Sequence, residues 1–302
     1  MIPAPFEYHR AASVTEALQL LTTLPEAKLL AGGHSLLPMM KLRLVSPTHV
    51  VDLGRIEALR FIRRDGQVVV AGALATHWMV ESSDVVRGAV PLLAETAAKI
   101  GDVQVRNAGT IGGSLAHADP AADYPAAILA LDAQMVAQSP RGRRTIPAGE
   151  FFTGLFSTAL ASDEILVEVR IPVPSGATGS AYLKFAHPAS GFAVVGVAAV
   201  ITVDAQGRCA SARVGVTGVG PAAYRPARVE AQLKGAALDD KTVGAAAEHA
   251  AEGVNVNEDL FASAEYRAHL ARVFTKRAVL AAAQRARGTY TNYTIYTTYT
   301  IN

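Results

Sequence analysis

LLAGGHSL, residues 29–36, and NAGTIGGS, residues 107–114, decide how this chain is read. Each sets paired glycines beside a hydroxyl: Gly32, Gly33 and Ser35 in the first, Thr110, Gly112, Gly113 and Ser114 in the second. Glycine reaches positive φ and has no Cβ to hold a ligand away, so consecutive N–H groups can converge on phosphate oxygens while Ser or Thr adds a donor. Both turns are therefore read as anion cradles. One Gly-Gly turn is more often just a tight turn, so the weight lies on the pair. Neither has the spacing of a Walker loop or of G-x-G-x-x-G, which argues against a P-loop NTPase or a Rossmann site.

Around these turns the pattern alternates irregularly between helix and strand. Ser13 and Glu16 have capping-box spacing, and the apolar residues after them predict a helix over 13–23. Lys28 to Ala31 reads as a strand ending in the first glycine turn, and Leu36 to Leu44 as the helix that follows it. His49 to Leu53 and Gln67 to Ala71 read as strands, Pro91 to Ile100 and Pro125 to Leu131 as helices. The composition shifts at IPVPSGATGS, from Ile171, which marks a domain boundary. Beyond it, Phe192–Val203 and Ser211–Val219 flank DAQGR as a hairpin, and a long helix runs from Ser263 to Arg287. The final TYTNYTIYTTYTIN, 289–302, is low-complexity, read as a dispensable or non-native extension or as a strand-forming tail along a neighbouring surface.

Composition narrows the function classes. The chain has 302 residues, half of them hydrophobic, enough for two domains with a full core. With 28 Lys and Arg against 26 Asp and Glu, it lacks the basic surplus of a nucleic-acid binder. The longest apolar stretch, Phe192 to Ile201, is half of what a bilayer span needs, and MIPAPFEYHR lacks the order of a signal peptide, so a soluble cytosolic protein is expected. Cys209, the single cysteine, excludes a disulfide framework, a Cys-rich zinc site and an all-Cys iron–sulfur cluster within this chain.

Asp119 and Asp123 follow the second turn, just before an apolar helix. Helix capping accounts for one of them; the functional reading of Asp123 is an acceptor for a ribose hydroxyl beside the cradle.

LLAGGHSLLPMMKLRL (29–44), NAGTIGGSLAHADPAADYPA (107–126), EILVEVRIPVP (164–174) and AYLKFA (181–186) together resemble the FAD-binding medium subunit of molybdenum hydroxylases, the xanthine dehydrogenase family, in particular its aerobic carbon monoxide dehydrogenase branch. The resemblance runs in order to about Arg287; the tail has no counterpart. It implies an α+β fold: an N-terminal FAD-binding region of the vanillyl-alcohol-oxidase (PCMH) type over 1–175, in subdomains of about 1–55 and 56–175, then a domain over 176–288 with a three-stranded sheet and a helical bundle. It further implies that Leu29, Leu30, Ala31, Gly32, Gly33, His34, Ser35 and Leu36 wrap the FAD pyrophosphate. Thr110, Ile111, Gly112, Gly113 and Ser114 form a second cradle by the diphosphate and ribityl chain. Asp123 takes a cofactor hydroxyl, the backbone near Leu166 contacts the ring system, and Lys184 approaches the ring's polar edge. A molybdenum cofactor and 2Fe-2S clusters belong to a large and a small partner subunit, in a dimer of heterotrimers that is cytoplasmic or peripheral at the inner membrane face. The chain departs from the family pattern at Ser114, where relatives commonly carry Asn, and over His187–Phe192, where they carry a charged segment with an Asp.

Other residues read as structural. Phe192 is read as a core Phe opening a strand in preference to an aromatic packed by the flavin ring, which the resemblance allows, Trp78 as core or interface filler, and Cys209 as a small buried hydrophobe. His34 is taken to act through its backbone, His117 falls short of a metal site, and Arg141, Arg143 and Arg144 form a solvated turn able to face an acidic partner. Two other functions stay open: a stand-alone flavin reductase or oxidase, and an interaction subunit without cofactor.

Overall fold

A computed structural model describes residues 2–288. The Thr/Tyr-rich tail lies outside the described residues.

The first unit is a small parallel sheet. β1 (Glu7–Arg10), α1 (Val14–Thr23), β2 (Ala27–Leu30), α2 (Leu36–Lys41) and β3 (His49–Asp52) follow one another, with strand order β1-β3-β2. Ser13 Oγ accepts the Glu16 N–H, and the Glu16 carboxylate reaches back to the Ala12 N–H, one residue before the N–H that a capping box would use. The helix α2 is shorter than expected, because Arg43 takes a positive φ of 57° and turns the chain out.

The second unit is an antiparallel sheet covered by short helices. It comprises β4 (Ile62–Asp65), β5 (Val68–Gly72), α3 (His77–Ser82), α4 (Asp84–Ala89), α5 (Pro91–Ala97), α6 (Val103–Ala108), α7 (Ile111–His117), α8 (Tyr124–Ala130), β6 (Gln134–Ser139), β7 (Gly142–Pro147), α9 (Ala148–Phe151), the small pair β8 (Phe152–Gly154) and β9 (Ser157–Thr158), and β10 (Ile165–Pro172). The sheet order is β4-β5-β10-β6-β7. The helix α8 is buried along its whole length, which is why its sequence YPAAILA carries no polar face.

The third unit has β11 (Thr178–Ala186), β12 (Ala193–Val203) and β13 (Cys209–Thr217) in that order, all antiparallel, followed by α10 (Ala227–Leu233), α11 (Asp240–Ala247) and α12 (Ala264–Ala286). Both faces of this sheet are covered. A Cβ on Gly179 would collide with the backbone of α12, and one on Gly215 with the Ala126 carbonyl of α8. The third sheet is therefore clamped between its own last helix and a helix of the second unit. Alternation along β11 puts Tyr182 and Lys184 on the side of α8.

One expectation is corrected and two are narrowed. Phe192 is 44% exposed, so it is not core, and Trp78, 47% exposed, is left with the interface half of its reading. The arginines after β6 are solvent-exposed as expected, with Arg143 and Arg144 on β7, and they meet acids of this same chain: Arg144 grips Glu164 at 2.6 and 2.7 Å, and Arg141 pairs with Asp163. Cys209 is buried as expected, and burial pushes its thiol up to about 11. Among the described residues, no helix is long and apolar enough to cross a membrane.

Candidate functional site

The two glycine turns touch. A Cβ on Gly32 would collide with the Ala108 carbonyl oxygen and stand 2.7 Å from Gly109 Cα. Together they line a cleft of about 450 Å³, within the usual range for a small-molecule site.

The first turn is open to a ligand. Among the described residues, the amides of Gly32, Gly33, His34, Ser35 and Leu36 donate to no protein acceptor, backbone or side chain. Gly33 holds φ at +75°, and Ser35, at the start of α2, makes no side-chain cap bond. Consecutive donors left free in this way form a concave anion site.

The second turn is closed, which corrects its reading as an amide cradle. The Ile111 N–H donates to the Ala75 carbonyl, Gly112 to Ala73, Gly113 to Thr110 Oγ1 and Ser114 to the Thr110 carbonyl. Its glycines serve close packing: a Cβ on Gly112 would stand 2.5 Å from that of Ala73. What this turn offers the cleft is hydroxyls. Thr110 Oγ1 accepts from Gly113 and keeps its own proton, and Ser114 Oγ has no protein partner among the described residues.

Asp123 stands at the head of α8 but caps nothing. It is 5% exposed and accepts from the Tyr182 hydroxyl at 2.5 Å and Lys184 Nζ at 2.8 Å. Burial pushes its carboxyl above the ordinary range, against the pull of Lys184 and Tyr182. Asp119 instead accepts the Ala121 N–H. Lys184 does not line the cleft; its ammonium is shared between Asp123 and the Lys99 carbonyl, so it reaches the site through Asp123. Leu166 lies on the cleft wall where the β5–β10 ladder has ended, beside a register shift between Leu166 and Glu168. Of the residues expected at the cofactor, Leu30, Ile111 and Lys184 are behind the wall and the others are on it.

Sequence reasoning missed His77. It is 4% exposed, lines the cleft beside Gly109, and has Nδ1 buried without a protein partner. Burial, with His34 and Arg106 nearby, lowers it to about 4, so it is neutral at pH 7. Its only sequence signal is the Thr76 N-cap before it. Lys28 and Phe156 were also missed as cleft residues, and Phe192, whose place by the ring was the less favoured reading, lines the cleft too.

These features meet a known family. Residues 4–174 match the FAD binding domain in molybdopterin dehydrogenase, and residues 180–282 the CO dehydrogenase flavoprotein C-terminal domain. The chain belongs to the family of FAD-binding domains of molybdopterin dehydrogenases. It is therefore an oxidoreductase-family chain in which an FAD-binding domain precedes the flavoprotein C-terminal domain. The carbon monoxide dehydrogenase medium chain of Hydrogenophaga pseudoflava is 44% identical over 286 residues, 94% of this chain and 99% of that one. The 6-hydroxypseudooxynicotine dehydrogenase complex subunit alpha of Paenarthrobacter nicotinovorans is 39% identical, over 96% and 98%. Among solved structures, carbon monoxide dehydrogenase from H. pseudoflava lacking the Mo-pyranopterin moiety of its molybdenum cofactor superposes with a TM-score of 0.92 at 45% identity, covering 94% of this chain and 99% of that one.

The donor set of this FAD-binding domain fits the cofactor. A diphosphate needs many N–H and O–H donors in one concave place, and the free amides of Gly32–Leu36 with the hydroxyls of Thr110 and Ser114 supply them.

Proposed function

We propose that this chain is the flavin-bearing electron-transfer subunit of a molybdenum hydroxylase, receiving electrons from iron–sulfur clusters in a small partner and passing them to an external acceptor. The observation that carries the reading is the run of free amides from Gly32 to Leu36 on the wall of the cleft. These amides bind the FAD diphosphate. Thr110 and Ser114 hydrogen-bond to the diphosphate or the ribityl chain, Asp123 accepts a cofactor hydroxyl, and Leu166 with Phe192 borders the ring. Lys184 positions Asp123. When bound, FAD supplies a carrier that exchanges electrons singly or in pairs.

The single cysteine supports placing the 2Fe-2S clusters in a small subunit and the molybdenum cofactor in a large one. The half-exposed Phe156 and Phe192 at the cleft support a partner that covers this face, as in a cytoplasmic dimer of heterotrimers. The substrate belongs to the large subunit: carbon monoxide, or a heterocycle or aldehyde. The functional units are 1–175 and 176–288, supported by the composition shift after Ile171. Purified protein should carry FAD at one per chain, read from its visible absorbance and nucleotide content. Colourless protein that takes up no FAD on titration would end this reading.

A further inference from the structure

Outside the cleft, two histidines and a carboxylate converge on one face of the first sheet. β1 and β3 run parallel with Glu7 opposite His49, and His9 is two residues beyond Glu7, so strand alternation gives all three the same side. His9 Nε2 and His49 Nδ1 are 3.0 Å apart. A Glu7 carboxylate oxygen is 3.6 Å from that His49 nitrogen and 3.9 Å from that of His9. The histidine side chains are 24% and 14% exposed, that of Glu7 74%.

We propose that Glu7, His9 and His49 form a binding site for a divalent transition-metal ion of the zinc class. Ligand atoms about 2.0–2.2 Å from a tetrahedral ion lie roughly 3.3 Å from one another, close to the spacings found here. The histidine nitrogens need separate by only a few tenths of an ångström, and the exposed Glu7 can close the remainder. Two imidazoles with one carboxylate suit Zn²⁺, Co²⁺ or Ni²⁺, whereas Mg²⁺ and Ca²⁺ prefer all-oxygen shells. Backbone pairing across β1 and β3 fixes two of the three ligands before any ion arrives. Water completes the coordination.

The site is separate from the cleft. It lies at the starts of β1 and β3, whereas the glycine turn leaves the far end of β2, and none of its three residues lines the cleft. A bound ion would clip the N-terminal strand to the sheet that carries the anion cradle.

Equilibrium dialysis of the full chain against micromolar Zn²⁺, followed by elemental analysis, tests this. The wild type should take up one equivalent at this site, and Co²⁺ in its place should show visible bands of tetrahedral coordination. His9→Ala and His49→Ala should lose the equivalent, and Glu7→Gln should weaken it roughly tenfold or more. Because Glu7 is exposed, Glu7→Gln keeps the test valid if a histidine variant fails to fold. A wild type that takes up no Zn²⁺ would overturn the assignment. So would metal uptake unchanged in Glu7→Gln and His9→Ala but lost in His249→Ala, which would locate the ion at the exposed His249–Glu252 pair.

Discussion

Gly32 lies against the carbonyl of Ala108, so the turn after β2 and the turn before α7 share one wall with no room for a side chain between them. This contact joins the first unit to the second and closes one side of the cleft. It also separates the roles of the glycines, which look alike in sequence.

Gly32→Ala should therefore lose flavin and lower the melting temperature, because its methyl meets backbone that cannot move aside. Gly88→Ala is the control: it lies inside α4 with open space where the Cβ would go, and should stabilise by about 0.5–1 kcal/mol. Thermal melting and FAD content of the two variants check this. Equal flavin content in both would refute the shared wall.

Ser114→Ala isolates the hydroxyl role of the second turn. Since Ser114 Oγ has no protein partner, the melting temperature of the flavin-free protein should stay within experimental error. The FAD dissociation constant should rise by about fivefold, the worth of one hydrogen bond of about 1 kcal/mol. Unchanged affinity by fluorescence titration would remove Ser114 from the site.

Lys184→Met should be severe, because it strands a buried carboxylate at Asp123 and so costs about 3–5 kcal/mol. Adding Asp123→Asn should recover part of the loss. Tyr182→Phe removes only the hydroxyl bond and should cost about 1–3 kcal/mol. Urea unfolding of wild type, Lys184→Met, Asp123→Asn and the double variant gives the cycle, with Tyr182→Phe measured beside it; a double variant less stable than Lys184→Met would contradict the pairing.

His77 sets a pH dependence. The unfolded chain takes up a proton near 6.5 that the native site refuses until about 4, so stability falls as the pH drops through that window, by about 3 kcal/mol at its lower end. In His77→Gln this part of the loss should vanish. Chemical denaturation at neutral and mildly acidic pH would show it, and parallel pH profiles for the two proteins would rule it out.

Much of the architecture was legible in local signals. The Ser13 cap that starts α1, the Ser263 start of α12 and the DAQGR hairpin all depend on neighbours in sequence, and the structure keeps them. His77 was not legible, and Phe192 was legible only as the less favoured of two readings. A Phe opening an apolar strand reads as core, and only the cleft beside it leaves it half exposed. A histidine after a helix-capping Thr carries no pattern, because its burial comes from Gly109 on a distant turn and from Tyr124.

By itself the sequence determined the two paired-glycine segments, the lack of thiols for a cluster, part of the helices and strands, and through its four motifs the flavin-binding family. Only the tertiary structure decided which turn keeps its amides for a ligand. The Gly32–Leu36 amides stay free, while Ile111 and Gly112 bond to Ala75 and Ala73 near β5, a choice made by distant partners. It likewise decided that Asp123 meets Lys184 and Tyr182 across the domain joint, since strand alternation sets which side chains share a face but packing alone sets what that face meets.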